Sequence, residues 1–290
     1  MKYNGDYPGA DSMLKNSFCF IPGIRASRES ALWDAGILGW SDFLRHKPTG
    51  LSPERYESCR VQITRSKREL QQRNARFFHD RLPGCEHWRL FTEFRSETAF
   101  LDIETTGLNP GWDEITTIAL YDGKIVKTFV NGENLADFRT EIRRFKQIVT
   151  YNGKCFDVPF LRAELKFPMD HAHLDLRYIL HSLGYKGGLK GCERALGVSR
   201  KGLEEVNGFM AVLLWREYQR GNGKALETLL AYNIADALNL EILMVKAYNE
   251  KVARTPFGEK LRLELPKTPK IPYRPNREVI RKLSAWMPAS

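Results

Sequence analysis

Three strand-like runs stand close together in the middle of this chain, and almost everything after them reads as helix. The runs are Ala99–Ile103, Ile115–Tyr121 and Lys124–Val130. Between the last two lies Asp122-Gly123, a pair that readily takes the positive φ angles of a tight hairpin. A helix-like segment follows, then a short apolar strand, Ile148-Val149-Thr150-Tyr151. Beyond Asn152 the spacing predicts helices near 157–165, 174–183, 188–196, 208–220 and 223–249. Strands first and helices after, with mixed connections, predict an α/β fold: a mixed sheet flanked by helices.

The 290 residues are enough for one large domain or two ordinary ones. Phe18 to Arg81 reads as helices with short turns, and Leu82-Pro83-Gly84 breaks the pattern as a linker does. After Ala253, Pro256, Pro266, Pro269, Pro272, Pro275 and Pro288 would interrupt any long helix, leaving an extended tail with one short helix near 276–285. The expected organisation is a basic helical module over 1–95, the α/β core over 96–250 and a basic, proline-rich tail over 251–290.

Charge follows the same division. The formal net charge is +10, made of +5 in residues 1–95, −2 in 96–250 and +7 in 251–290. Arg65, Lys67, Arg68, Arg73 and Arg76 recur at spacings that favour a basic helical face. Basic flanks around a slightly acidic centre suit arms that hold a polyanion, nucleic acid above all. Solvated surface charge is the plain alternative. Apolar runs such as Phe209–Trp215 are too short to span a bilayer, and Met1–Asp6 lacks a signal peptide's apolar stretch. No membrane association and a cytoplasmic location are therefore expected. Five widely spaced cysteines fit a reducing compartment. His79, Cys85 and His87, with Cys59, are too loosely spaced to read as a zinc site.

The chemistry-bearing residues sit at the ends of these elements. On the first strand Asp102 and Glu104 are two apart and project side by side. Two partly buried carboxylates that close repel each other unless a cation lies between them. An oxygen-rich site of this kind suits Mg²⁺ or Mn²⁺. A second signal is Tyr151-Asn152-Gly153-Lys154-Cys155-Phe156-Asp157, a strand end and turn that deliver an Asp to a helix start. Taken alone, Asp157 there reads as no more than a helix cap. The third is Tyr232-Asn233-Ile234-Ala235-Asp236, where Tyr232 and Asp236 share one helix face.

In that order, Asp-x-Glu-Thr-Thr-Gly, Asn-Gly-x-x-Phe-Asp and Tyr-x-x-x-Asp together resemble the DEDD exonucleases of the ribonuclease-H-like fold. Tyr232, four residues before Asp236, resembles the DEDDy branch; the DEDDh branch would want His where Ala231 stands. More closely, the chain is similar to the YprB-type ribonuclease-H-like family, through Phe100–Leu108, Val149–Leu161, His173–Arg177, Gly188–Leu196, Leu214-Trp215 and Ala225–Leu243. The resemblance implies that Asp102, Glu104, Asp157 and Asp236 bind two metal ions and that Tyr232 positions the attacking water. It further implies that Thr105, Thr106, Gly107, Leu108, Asn152, Lys154 and Phe156 contact substrate, the terminal nucleotide of a single-stranded 3′ end. Asp175 would either support the site from behind or cap the next helix. The implied activity is 3′–5′ exonucleolytic hydrolysis of nucleic acid, DNA rather than RNA. A nucleic-acid-binding or scaffolding protein with a degenerate nuclease core is the alternative from another class, and the full set of four carboxylates argues against it. A structure-selective endonuclease is the other alternative, separable by its cutting of closed circles.

Ile21-Pro22-Gly23-Ile24, with Ala31-Leu32-Trp33, Gly36-Ile37 and Trp40, looks like a helix-hairpin-helix motif, which binds phosphates without reading sequence. Arg25 stands where that motif's second glycine belongs, and Gly23 and Arg25 are its candidate phosphate contacts. A small packing hairpin built on Leu32, Trp33 and Trp40 is the alternative.

Overall fold

The structure is a computed structural model that describes residues 12–200 and 202–286. Met1–Asp6 and Pro288, on which the absence of a leader and part of the tail's composition were read, lie outside the described residues.

Four helices come first: α1 (Ala26–Asp34), α2 (Trp40–Arg45), α3 (Pro53–Gln71) and α4 (Ala75–His79). A five-stranded sheet forms from β1 (Thr98–Thr105), β2 (Ile115–Tyr121), β3 (Val126–Val130), β4 (Gln147–Thr150) and β5 (Ala172–Asp175) in the order β3-β2-β1-β4-β5. β1 pairs antiparallel with β2 and parallel with β4. Interleaved and following are α5 (Phe138–Ile142), α6 (Asp157–Leu165), α7 (Leu176–His181), α8 (Gly188–Ala195), α9 (Gly208–Gln219), α10 (Gly223–Val252) and α11 (Arg277–Ser284). The mixed α/β sheet with flanking helices is the expected fold class. β5 is a departure: the segment expected as helix near 174–183 starts as this strand and turns helical only at Leu176.

Strand alternation sorts the core into two faces. Ala99, Leu101 and Ile103 point to the side packed by Phe138 and Ile142 of α5 and by Phe160 and Leu161 of α6. Phe100, Ala119, Tyr121 and Val149 point the other way, against Ile234, Leu238 and Met244 of α10. The N-terminal helices join this second face, since Trp33, Trp40, Phe43 and Phe78 belong to the same buried cluster. α10 is long and apolar enough to cross a membrane by length and composition, yet 94% of its most apolar window is buried inside the protein. It is the core helix of the sheet.

Two basic segments take unexpected roles. Arg73 lies beyond the end of α3, and its guanidinium bonds Glu97 (Nε, 2.8 Å) and Glu93 (Nη1, 2.9 Å) and stacks on Phe94. It thus anchors α3 to the segment that enters β1 instead of joining a basic surface. The tail runs back along α10. Asn249 exchanges two bonds of 2.8 Å with Leu263, and further on the Asn276 N–H donates to Thr228 Oγ1 at 3.0 Å. The short helix expected near its end is α11, which buries Val279, Ile280 and Leu283 in a cluster with Trp215 and Tyr232.

Candidate active site

The site forms where β1 meets α10. Asp102 and Glu104 follow Phe100 along the β1 face that α10 covers. One ligand atom from each of Asp102, Glu104 and Asp236 lies within 4.8 Å of the other two. Glu104 and Asp236 are buried and Asp102 is half-buried. The strand register slips between Glu104 and Thr105, so regular pairing with β2 ends just past the second carboxylate.

Asp157, the first residue of α6, stands outside that group of three but against it. It is 4% exposed and hydrogen-bonds the backbone of Ile103, between the two β1 carboxylates. Its charge raises the pKa of both Asp102 and Glu104. The four carboxylates therefore gather as three plus one.

Burial is the largest cause of a raised pKa at all four. At Asp102 and Glu104 the charge of Asp236 comes next. Burial pushes Asp157 up to about 8 and Asp236 up to about 7, with Arg200 holding the latter back. Asn233 steadies Asp102 by donating from Nδ2 to its Oδ2 at 2.7 Å and to its carbonyl at 3.1 Å. Burial also drives the Tyr232 phenol far above its usual value, so it stays neutral, and it hydrogen-bonds Asp236. Crowded, buried, all-oxygen ligands fit a hard divalent cation better than they fit one another.

Those shifts dictate a pH dependence. Unfolded carboxylates titrate near about 4. Because the folded pKa values are higher, the stability they contribute is complete below that value and is lost as pH rises through them. Without metal, stability should therefore fall from about pH 4 to about pH 8, by about 1.4 kcal/mol per pH unit for each carboxyl that the fold keeps protonated and the unfolded chain does not, and level off above the folded values. Metal requires the ionised carboxylates. The rise in melting midpoint from EDTA to saturating Mn²⁺ should then be larger at the higher pH. A rise that shrinks across that range contradicts this account of the cluster.

Several further residues support the site beyond those that the motifs point to. Arg200, on an irregular segment after α8, ion-pairs with Asp236 through Nη1 and bonds Glu193 through Nε at 2.5 Å. Asn239 Nδ2 donates to the other Glu193 oxygen at 2.9 Å. Lys190 lies 5.8 Å over the Tyr232 ring and donates to the Val206 carbonyl. Asn233 and Asn239 stand three residues either side of Asp236 and share its helix face, so their spacing could have suggested them. Arg200 had no such periodicity, and only the fold brings it to the site.

Asp175 does both things the sequence left open. It caps α7 by accepting the Arg177 N–H at 3.0 Å, and it accepts the N–H groups of Asn152 (2.8 Å) and Lys154 (3.0 Å). It thereby fixes the turn that delivers Asp157 to α6. Gly153 is required there because a Cβ would collide with the Thr150 side chain. Asn152 has φ +64° and accepts from Arg177 Nη1 at 2.5 Å. The Lys154 ammonium lies 5.5 Å from the Tyr178 ring centroid, and Phe156 packs on Phe160. Thr105 Oγ1 donates to the Gly107 carbonyl at 2.5 Å, Thr106 begins the loop beyond β1, and Leu108 projects into solvent.

The N-terminal and histidine groups are placed elsewhere. The described residues ahead of Pro22 form turns, so residues 12–21 supply no first helix for a helix-hairpin-helix motif. Gly23 turns against the Arg55 guanidinium, which bonds the Pro22 carbonyl, and Arg25 is exposed at the start of α1. His79 and His87 stand ring to ring at 4.1 Å, but the His87 nitrogens face the carbonyls of His173, His79 and Leu82. Among the described residues the metal-competent group is the one at Asp102.

No curated protein matches the chain. The family B DNA polymerase of the hyperthermophilic archaeon Pyrobaculum calidifontis shares 17% identity and a TM-score of 0.41 with it, over 58% of this chain and 27% of the polymerase. A family model described as RNase_H superfamily (RNase_H_2) matches residues 99–248, just over half of the chain. That span opens on β1 and closes on α10, taking in the whole sheet and all four clustered carboxylates: the chain belongs to the RNase_H superfamily.

Proposed function

We propose that the protein is a metal-dependent 3′–5′ exonuclease of the DEDDy kind, similar to the YprB-type family, acting on single-stranded ends of DNA in preference to RNA. The observation that carries this reading is the convergence of Asp102, Glu104 and Asp236 within 4.8 Å, with Asp157 beside them. Membership of a nuclease superfamily supports it further.

Asp102, Glu104 and Asp236 would hold two Mg²⁺ or Mn²⁺ ions, with Asp157 completing the set. Such ions lower the pKa of a bound water and stabilise charge on a phosphoryl group. The chain's own residues set the geometry around that chemistry. Asn233 keeps Asp102 aimed, and the Arg200–Glu193–Asn239 network does the same for Asp236. The neutral Tyr232 phenol can donate and accept a hydrogen bond at once, which suits it to orient a water and unsuits it as a base.

The deciding experiment follows DNA and RNA oligonucleotides labelled at either end, in Mg²⁺, Mn²⁺ or EDTA. A ladder shortening from the 3′ end only with metal is expected. Cutting of a closed single-stranded circle would replace this reading with an endonuclease.

The tail would guide the strand by charge. Arg262, Lys267, Lys270, Arg274, Arg277 and Arg281 are all exposed along it. Deleting the tail would uncover Val279, Ile280 and Leu283, so substitution is the cleaner test. A Lys267→Glu, Lys270→Glu, Arg274→Glu protein should bind oligonucleotide more weakly, with the slope of log affinity against log salt reduced by about 0.7 per lost contact on single strands. Turnover at saturating substrate should be retained. An unchanged salt slope removes the tail from the substrate path.

A further inference from the structure

Among the described residues the two most exposed large apolar side chains are Trp112 at 92% and Leu108 at 78%. Both belong to one short loop, the Thr106–Glu114 connection between β1 and β2. Its ends are joined two residues beyond Glu104: the Thr106 N–H donates to the Glu114 carbonyl, and the Glu114 N–H returns to Thr106 Oγ1, each at 2.9 Å.

The loop is held from inside. Asp113 accepts the Asn109 N–H at 2.9 Å, and the N–H groups of Trp112 and Asp113 both donate to the Asn109 carbonyl, at 3.1 and 2.9 Å. Gly107 lies so close to the Asp113 carboxylate that a Cβ there would collide with it. The loop therefore presents its indole from a braced backbone. Trp112 is two residues from Glu114, so its Cα is at most about 7 Å from that of Glu114, and the joined base at Thr106 is itself two residues along the chain from Glu104.

A single exposed apolar side chain needs no partner, but an indole and a leucine presented together on a braced loop make a small apolar face that a ligand can cover. A protein partner would need a contiguous apolar patch of several hundred Å², which two side chains on one small loop do not make. A nucleobase needs only one flat aromatic face. The Asp113 carboxylate is turned inward, so the loop offers a stacking surface with little to read a base edge.

We propose that Trp112 is a stacking platform for an unpaired nucleobase of the strand whose backbone enters the carboxylate site, gripping single-stranded nucleic acid without sequence preference. This rests on the nuclease reading for the strand's path but not on hydrolysis, and it is tested by binding alone.

The test uses full-length protein in EDTA and a fluorescein-labelled oligothymidylate, alongside the same strand carrying abasic spacers in its terminal residues. Trp112→Ala should weaken binding to the intact strand by about ten-fold, the scale of one lost stack. Trp112→Phe should recover most of that. On the abasic strand wild type and Trp112→Ala should bind alike. Quenching of indole emission by the strand should diminish in Trp112→Phe. The exposed position leaves folding unaffected, which melting midpoints will verify. Equal affinity of wild type and Trp112→Ala for the intact strand overturns the proposal, as does an equal loss on both strands. Absence of any single-strand binding by wild type overturns it too. Binding that follows the expected pattern in a protein that cuts nothing would instead sink the nuclease reading and leave the platform standing.

Discussion

Asp236→Asn protein is expected to fold and to bind oligonucleotide, yet to hydrolyse it at least about 10³-fold more slowly than the parent. The substitution keeps the side chain's shape and removes one charge from a group whose ligand atoms lie within 4.8 Å of each other. In the absence of metal that loss relieves repulsion, because the Asp236 charge raises the pKa of both Asp102 and Glu104. Stability in EDTA at alkaline pH should therefore be preserved even though Arg200 loses a partner, since its guanidinium remains bonded to Glu193. With metal the balance reverses: a ligand is gone, and the Mn²⁺-induced rise in melting midpoint should shrink with it. Asp102→Asn should behave alike in turnover. Near-parental cleavage by either variant, in protein shown to be folded, would falsify the assignment of this cluster as the seat of hydrolysis.

How much of this was legible depends on whether a feature is periodic. The alternation Phe100, Asp102, Glu104 against Leu101, Ile103 is written in the order of residues, and it fixes which side of β1 carries charge. The four-residue spacing of Tyr232 and Asp236 is likewise a local fact of helix geometry. β5 was not legible for a specific reason. Ala172-His173-Leu174-Asp175 is only four residues long, and Asp175 is so good a helix cap that the segment looks like the start of α7. Its strand character comes from pairing with β4, with Thr150 opposite Asp175, a contact no local pattern announces.

Charge was the least readable property. Arg73 and Arg200 look like any other surface arginines in a basic chain, and each proves to be tied to acidic groups. Arg73 spans to Glu93 and Glu97, and Arg200 bridges Glu193 and Asp236. Net charge describes the field that a polyanion meets; it does not identify which cations are already committed inside the fold. The tail's positive side chains remain on the surface because its apolar residues, Leu263, Ile271, Val279 and Ile280 among them, face the protein while the lysines and arginines between them point outward.

Tyr232→Phe separates the two parts of the site. The ring is 5% exposed and packs in a cluster with Trp215, Leu214 and Val279, while Arg200 and Lys190 lie over it at 5.4 and 5.8 Å. Phenylalanine keeps all of those contacts. Only the hydroxyl disappears, and with it the hydrogen bond to Asp236. If the carboxylates hold the ions and the phenol orients the attacking water, Mn²⁺ affinity should stay close to the parent's while single-turnover hydrolysis falls by about 10²–10³-fold. Because the phenol's pKa is driven upward by burial, its loss should not shift the alkaline limb of the rate profile. A group acting as a base would move that limb, whereas a neutral orienting group lowers the whole profile. Calorimetric Mn²⁺ titration beside quenched-flow cleavage between about pH 6 and pH 9 reads both quantities. Parental hydrolysis rates in Tyr232→Phe would reduce the tyrosine to packing, and a parallel collapse of metal binding would make it a support for Asp236 instead of a partner of the water.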